Sequence, residues 1–102
     1  MNSNPASKES LKKINLAISK LVKEYLDAGM VLDAQEACNV TGGLLFFSEK
    51  EKMAYRVIFD IKSTDKGHDY YLKVFITSEE NGYGLISSKG WKELKSELVA
   101  SD

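Results

Sequence analysis

Apolar positions over residues 8–28 recur at spacings of three and four: Leu11, Ile14, Ile18, Leu21, Val22 and Tyr25. That period draws one apolar stripe along a helix. Lys12, Lys13, Lys20, Lys23 and Glu24 fall on its flanks and back. Ser7 stands where a side-chain oxygen would cap the first turn, and Gly29 where a left-handed residue would end the last one. The pattern predicts a long amphipathic helix over 8–28, about 30 Å in length at ~1.5 Å per residue. Residues 1–7, polar and without periodicity around Pro5, read as a disordered leader whose last residue supplies the cap.

Met30 to Thr41 admits two readings. Asp33 followed by Glu36 resembles a capping box and suggests a short helix around Ala34 to Cys38; a connecting strand at Met30-Val31-Leu32 is the other. From Gly42 the period changes to two. Leu44-Leu45-Phe46-Phe47 is apolar throughout, as in a strand buried on both faces. A charged turn from Ser48 to Lys52 leads into a second strand, Met53 to Lys62, rich in β-branched and aromatic residues. Ser63 to His68 reads as a turn and Asp69 to Thr77 as the third strand. Asn81-Gly82 is a tight-hairpin signal and precedes a short fourth strand, Tyr83 to Ser87. Trp91, Leu94 and Leu98 then predict a C-terminal helix over about Lys89 to Ala100. The expected fold class is α+β: a long N-terminal helix, a four-stranded antiparallel meander and a C-terminal helix, all in a single domain over 8–102.

Alternation divides the central strands into faces. Tyr55, Val57, Phe59 and Ile61, with Tyr70, Leu72, Val74 and Ile76, make the expected core face under the long helix. The other face mixes apolar, aromatic and cationic groups: Arg56, Ile58, Asp60 and Lys62 beside Tyr71, Lys73, Phe75 and Thr77. Three readings of it compete. The C-terminal helix covers it; or it binds another protein or a second copy of the chain, since aromatic and Arg side chains are enriched at such contacts; or it stacks single-stranded nucleic acid on Tyr71 and Phe75, with Arg56, Lys62 and Lys73 holding phosphates.

Composition narrows the classes. The 102 residues are 43% hydrophobic and 28% charged, ordinary globular usage that argues against disorder. The net charge of -1 lacks the basic excess of a duplex-binding surface. The longest apolar run, Gly42 to Phe47, is far short of the ~20 residues that span a bilayer, and no signal-peptide pattern precedes it. The single cysteine, Cys38, cannot make an intrachain disulfide, which favours a reducing, cytoplasmic setting. Cys38 itself reads as a small buried apolar residue.

No constellation for chemistry stands out. His68, the sole histidine, is expected at a turn tip facing water, a poor place to hold catalytic geometry. Asp65, His68 and Asp69 could hold a cation only weakly, and a solvated hairpin tip is the simpler reading. Gly42-Gly43 precedes a strand rather than opening a helix, so it suits a bulge or close backbone approach, not a phosphate loop. Glu79-Glu80 has nothing beside it to drive two carboxyl pKa values apart.

The expected function is therefore non-enzymatic, with no cofactor and no metal. It is a small cytoplasmic protein-binding module, of the adaptor, inhibitor or immunity-factor kind, with homodimerisation as one form of its action. The candidate partner-binding residues are Arg56, Ile58, Tyr71, Lys73 and Phe75. The alternative is a single-stranded nucleic-acid-binding accessory domain using the same face.

Overall fold

The computed structural model describes residues 7–35, 43–78 and 90–102, with the side chains of all of these except 33–35. The predicted first helix is present as α1, Lys8–Asp27. Ser7 adopts extended backbone and its hydroxyl accepts the Ser10 N–H at 3.1 Å, satisfying one of the first-turn donors. At the other end Gly29, at φ 88, lets its own N–H reach the Leu26 carbonyl and that of Met30 reach Tyr25. This is a Schellman closure, open to glycine because a Cβ is disfavoured in the left-handed region. Ile14, Leu21 and Tyr25 are buried along the stripe, and Ala17, Ile18 and Val22 pack at its margins.

Among the described residues five strands follow, not the four of the expected meander: β1 (Val31–Gln35), β2 (Leu44–Ser48), β3 (Met53–Thr64), β4 (Gly67–Ser78) and β5 (Lys92–Ser101). They form one sheet in the order β1-β2-β3-β4-β5, each pair antiparallel. The class is α+β, as expected. Val31–Gln35 is a strand, in line with the second reading of that stretch. The proposed fourth strand at 83–87, the Asn81-Gly82 turn, Glu79-Glu80 and Cys38 lie outside the described residues.

The C-terminal helix is not formed: Lys92–Ser101 is an edge strand on β4. Lys, Glu and Leu favour helix in isolation, and Trp91, Leu94 and Leu98 mimic its period. Two register shifts interrupt β5, and the first of them in the chain accounts for the mimicry. Beside Tyr70/Tyr71 and beside Val74/Phe75, β5 carries one extra residue, Val99 and Leu94 respectively. Each bulge slips the alternation by one: the one at Leu94 gives the odd spacing of three from Trp91, while the four from Leu94 to Leu98 is simply two strand periods. Ladder pairing along β4, burial of Ala100 and packing of Val99 on the core outweigh the local preference.

The core lies between α1 and one sheet face: Leu21 and Tyr25 meet Phe46, Tyr55, Val57, Leu72 and Val74. Tyr25 packs edge-on to Phe46 at 5.2 Å between centroids and tilted on Tyr55 at 5.6 Å. Near the start of the helix, Ile14 meets Tyr70 and Ala100. α1 thus crosses the sheet obliquely, from β4–β5 towards β2–β3, and leaves the far half of β3 unroofed. Two of the eight expected core residues are consequently exposed, Phe59 at 42% and Ile61 at 40%. Phe59 still stacks on Tyr70, 5.8 Å between centroids. β2 is lined on both sides as its sequence implied, with Phe46 at 0% and Leu45 at 9% exposed. At its start, a Cβ on Gly43 would fall 2.1 Å from the Val57 carbonyl oxygen, the close approach anticipated for the glycine pair. Among the described residues no helix is long and apolar enough to cross a membrane.

Candidate sheet-face interface

All five candidate residues stand on the sheet face opposite α1, brought together by the β3–β4 register. Arg56 lies opposite Phe75, Ile58 opposite Lys73, and Asp60 opposite Tyr71. Directly opposed side chains on an antiparallel pair sit about 4.5–5.5 Å apart at Cβ, so the five form one contiguous patch. Each is half-buried. Leu45 joins them from β2, opposite Arg56, and Leu98 from β5, opposite Tyr71.

Arg56 and Lys73 are half-buried in the patch, and Lys62 stands exposed at its edge. The Arg56 guanidinium lies over the Trp91 ring, 4.7 Å from its centroid. Lys73 Nζ reaches Asp60 Oδ2 at 3.2 Å across the diagonal. Lys62 Nζ lies 5.9 Å from the centre of the Tyr71 ring. One end of the face is closed: the Thr77 hydroxyl donates to the Gly90 carbonyl at 2.8 Å, and Thr77 and its opposite number Ala54 are each 2% exposed. The other end, where Lys62 and Leu98 flank Tyr71, is exposed.

Trp91 belongs to this face and was not among the candidates, because its spacing to Leu94 and Leu98 placed it on a helix. Leu45 was legible only as one member of an apolar run. Treating 92–101 as a strand would release Trp91 from the helix, and alternation along β2 places Leu45 on the face of Arg56.

His68 differs from its expected place. The turn of the β3–β4 hairpin is confined to Asp65 and Lys66, and Thr64 already pairs with Gly67. His68 is a ladder residue opposite Ser63, exchanging backbone hydrogen bonds with Asp102 at 2.8 and 2.9 Å, its ring 6.3 Å from that of Tyr70. A twelve-residue strand carries the pairing right to the tip, so the imidazole is half-buried instead of solvated. Alternation sends Asp69 to the opposite face, where it accepts the Ser101 hydroxyl at 2.8 Å. Among the described residues no three His, Cys, Asp or Glu side chains gather as a metal-holding group.

Perturbed titration falls away from the sheet face. Burial and a 2.7 Å hydrogen bond to Glu51 push the Tyr55 phenol up to about 12. Burial also raises Tyr25, assisted by the negative charge of Glu24. The Asp102 carboxyl is held down at about 2 by the Ser10 hydroxyl and by the backbone N–H and hydroxyl of Ser7. Comparison of the chain with family models, with curated proteins and with solved structures finds no match in any of the three.

Proposed function

We propose that this chain is a protein-binding module, acting in a reducing cytoplasmic setting through the sheet face centred on Arg56, Ile58, Tyr71, Lys73 and Phe75. The carrying observation is the cross-strand patch itself. Apolar and aromatic groups occupy the sheet face that α1 does not cover, each flanked by a cation already held against a ring or a carboxylate. Such a patch suits a partner with an apolar centre and acceptors at its rim, the anatomy of protein interfaces. The engaged cations favour a protein over single-stranded nucleic acid. A phosphate would have to compete with Asp60 for Lys73, and with the rings of Trp91 and Tyr71 for Arg56 and Lys62. Binding rather than catalysis is the proposed role.

The test is capture by the immobilised chain from its native host at low and at physiological salt, beside the Tyr71→Ala/Phe75→Ala variant. Proteins retained by the parent at both salt concentrations and lost by a folded variant support the reading. Retention of nucleic acid that falls steeply with salt, as counterion release dictates, contradicts it.

A further inference from the structure

We propose that β5 is a self-pairing edge, through which two copies of this chain join their sheets into one. β5 ends the strand order, so one side of its backbone has no ladder partner among the described residues. An open edge is a template for another strand. What commits it to a second copy is the chemistry of Leu94-Lys95-Ser96-Glu97-Leu98. Between the two bulges, residues 95–98 run regularly opposite Val74, Lys73, Leu72 and Tyr71. Lys95 and Glu97 therefore share the α1 side of the sheet, while Ser96 and Leu98 share the other.

Antiparallel pairing about a two-fold axis reverses the strand onto itself. Reversal about Ser96 sets Lys95 opposite Glu97 of the second copy and brings Leu94, at the bulge, beside Leu98, and symmetry makes each contact twice. Neither Lys95 nor Glu97 has an ion-pair partner among the described residues, and Leu94 and Leu98 are each 52% exposed, so all four are available. Moving the register by two residues either way sets Lys95 against Lys95 or Glu97 against Glu97. A one-residue slip sends the paired side chains to opposite faces. Charge complementarity thus selects one register. Beside this edge α1 leaves a trough lined by Leu16, Lys20, Lys95 and Glu97, with Leu16 71% exposed, room in which a second copy can approach. A two-fold perpendicular to the sheet puts both α1 helices on one side and both Arg56–Phe75 faces on the other. The edge and the sheet face meet at Leu98, opposite Tyr71, and edge pairing leaves Arg56, Ile58, Lys73 and Phe75 uncovered by the second copy.

The test is sedimentation velocity of the full chain over a concentration series. The parent is expected to self-associate. K95E and E97K each place like charges opposite one another in both symmetry-related pairs, and each should raise the dimer dissociation constant by about tenfold or more. An equimolar mixture of the two variants should recover association, because the acidic edge of one meets the basic edge of the other; the double swap K95E/E97K should recover it too. If a reversal lowers the melting temperature, K95Q and E97Q carry the same comparison with smaller losses. A parent that stays monomeric throughout, or a dimer indifferent to the single variants and to their mixture, overturns the proposal.

Discussion

Ser7 donates both its backbone N–H and its hydroxyl to the carboxylate of Asp102, 95 positions further along the chain, at 2.7 and 2.8 Å. The Ser10 hydroxyl adds a third hydrogen bond at 2.5 Å and the Tyr70 phenol a fourth at 3.2 Å. A helix start presents unsatisfied N–H groups and a partial positive charge, so a carboxylate is favoured there. Asp102 is in turn fixed by its backbone exchange with His68. The clasp ties the beginning of α1 to the end of β5 and sets where the helix crosses the sheet.

That clasp has a pH signature. The Asp102 carboxyl is held at about 2 against an ordinary 3.8, so its stabilisation is fully present above pH ~4 and is lost as pH falls through ~2. Asp102→Asn should melt below the parent at pH 6, and the gap should close between pH ~4 and ~2. Melting temperatures of the two chains across that range check it. A gap that does not change with pH would place the stabilisation elsewhere.

Leu72, 3% exposed, sits in the core under α1 and lies opposite Phe59. Leu72→Ala should cost about 2–5 kcal/mol through lost burial and the cavity left behind. Chemical denaturation of parent and variant gives the figure directly. Equal stability would mean that the two sheet faces have been exchanged.

Gly43→Ala should destabilise by at least about 2 kcal/mol, because the new methyl meets the backbone of β3 at a φ of 88, where a side chain is already strained. Substituting the exposed Lys50 with Ala, in the turn three residues before β3 begins, should change stability by less than about 0.5 kcal/mol. Thermal denaturation of the two variants side by side separates a close-approach glycine from a merely local one.

Much of this architecture is written in local period. α1, its caps and the division of β3 and β4 into faces follow from spacing alone, since each lies in a long segment with one uninterrupted period. β5 does not, because the bulge at Leu94 hides a strand inside a helix-like pattern; it is set by what β4 offers, which no local window contains. Phe59 and Ile61 alternate correctly, yet their exposure depends on the oblique path of α1, fixed in part by Asp102. The same limits governed the candidate site. Arg56, Ile58, Tyr71, Lys73 and Phe75 were legible as a shared face. That Trp91 lies under Arg56, or that Asp60 holds Lys73, required the register.

The proposed binding role of this face is separable from any part it plays in holding the fold. Its most direct measurement is the affinity of Tyr71→Ala/Phe75→Ala for a protein captured by the parent, taken with the melting temperature of the same sample. Binding should weaken by about 2 kcal/mol or more, as for central aromatic anchors, with melting close to that of the parent. A stable double variant that binds as tightly as the parent would contradict it.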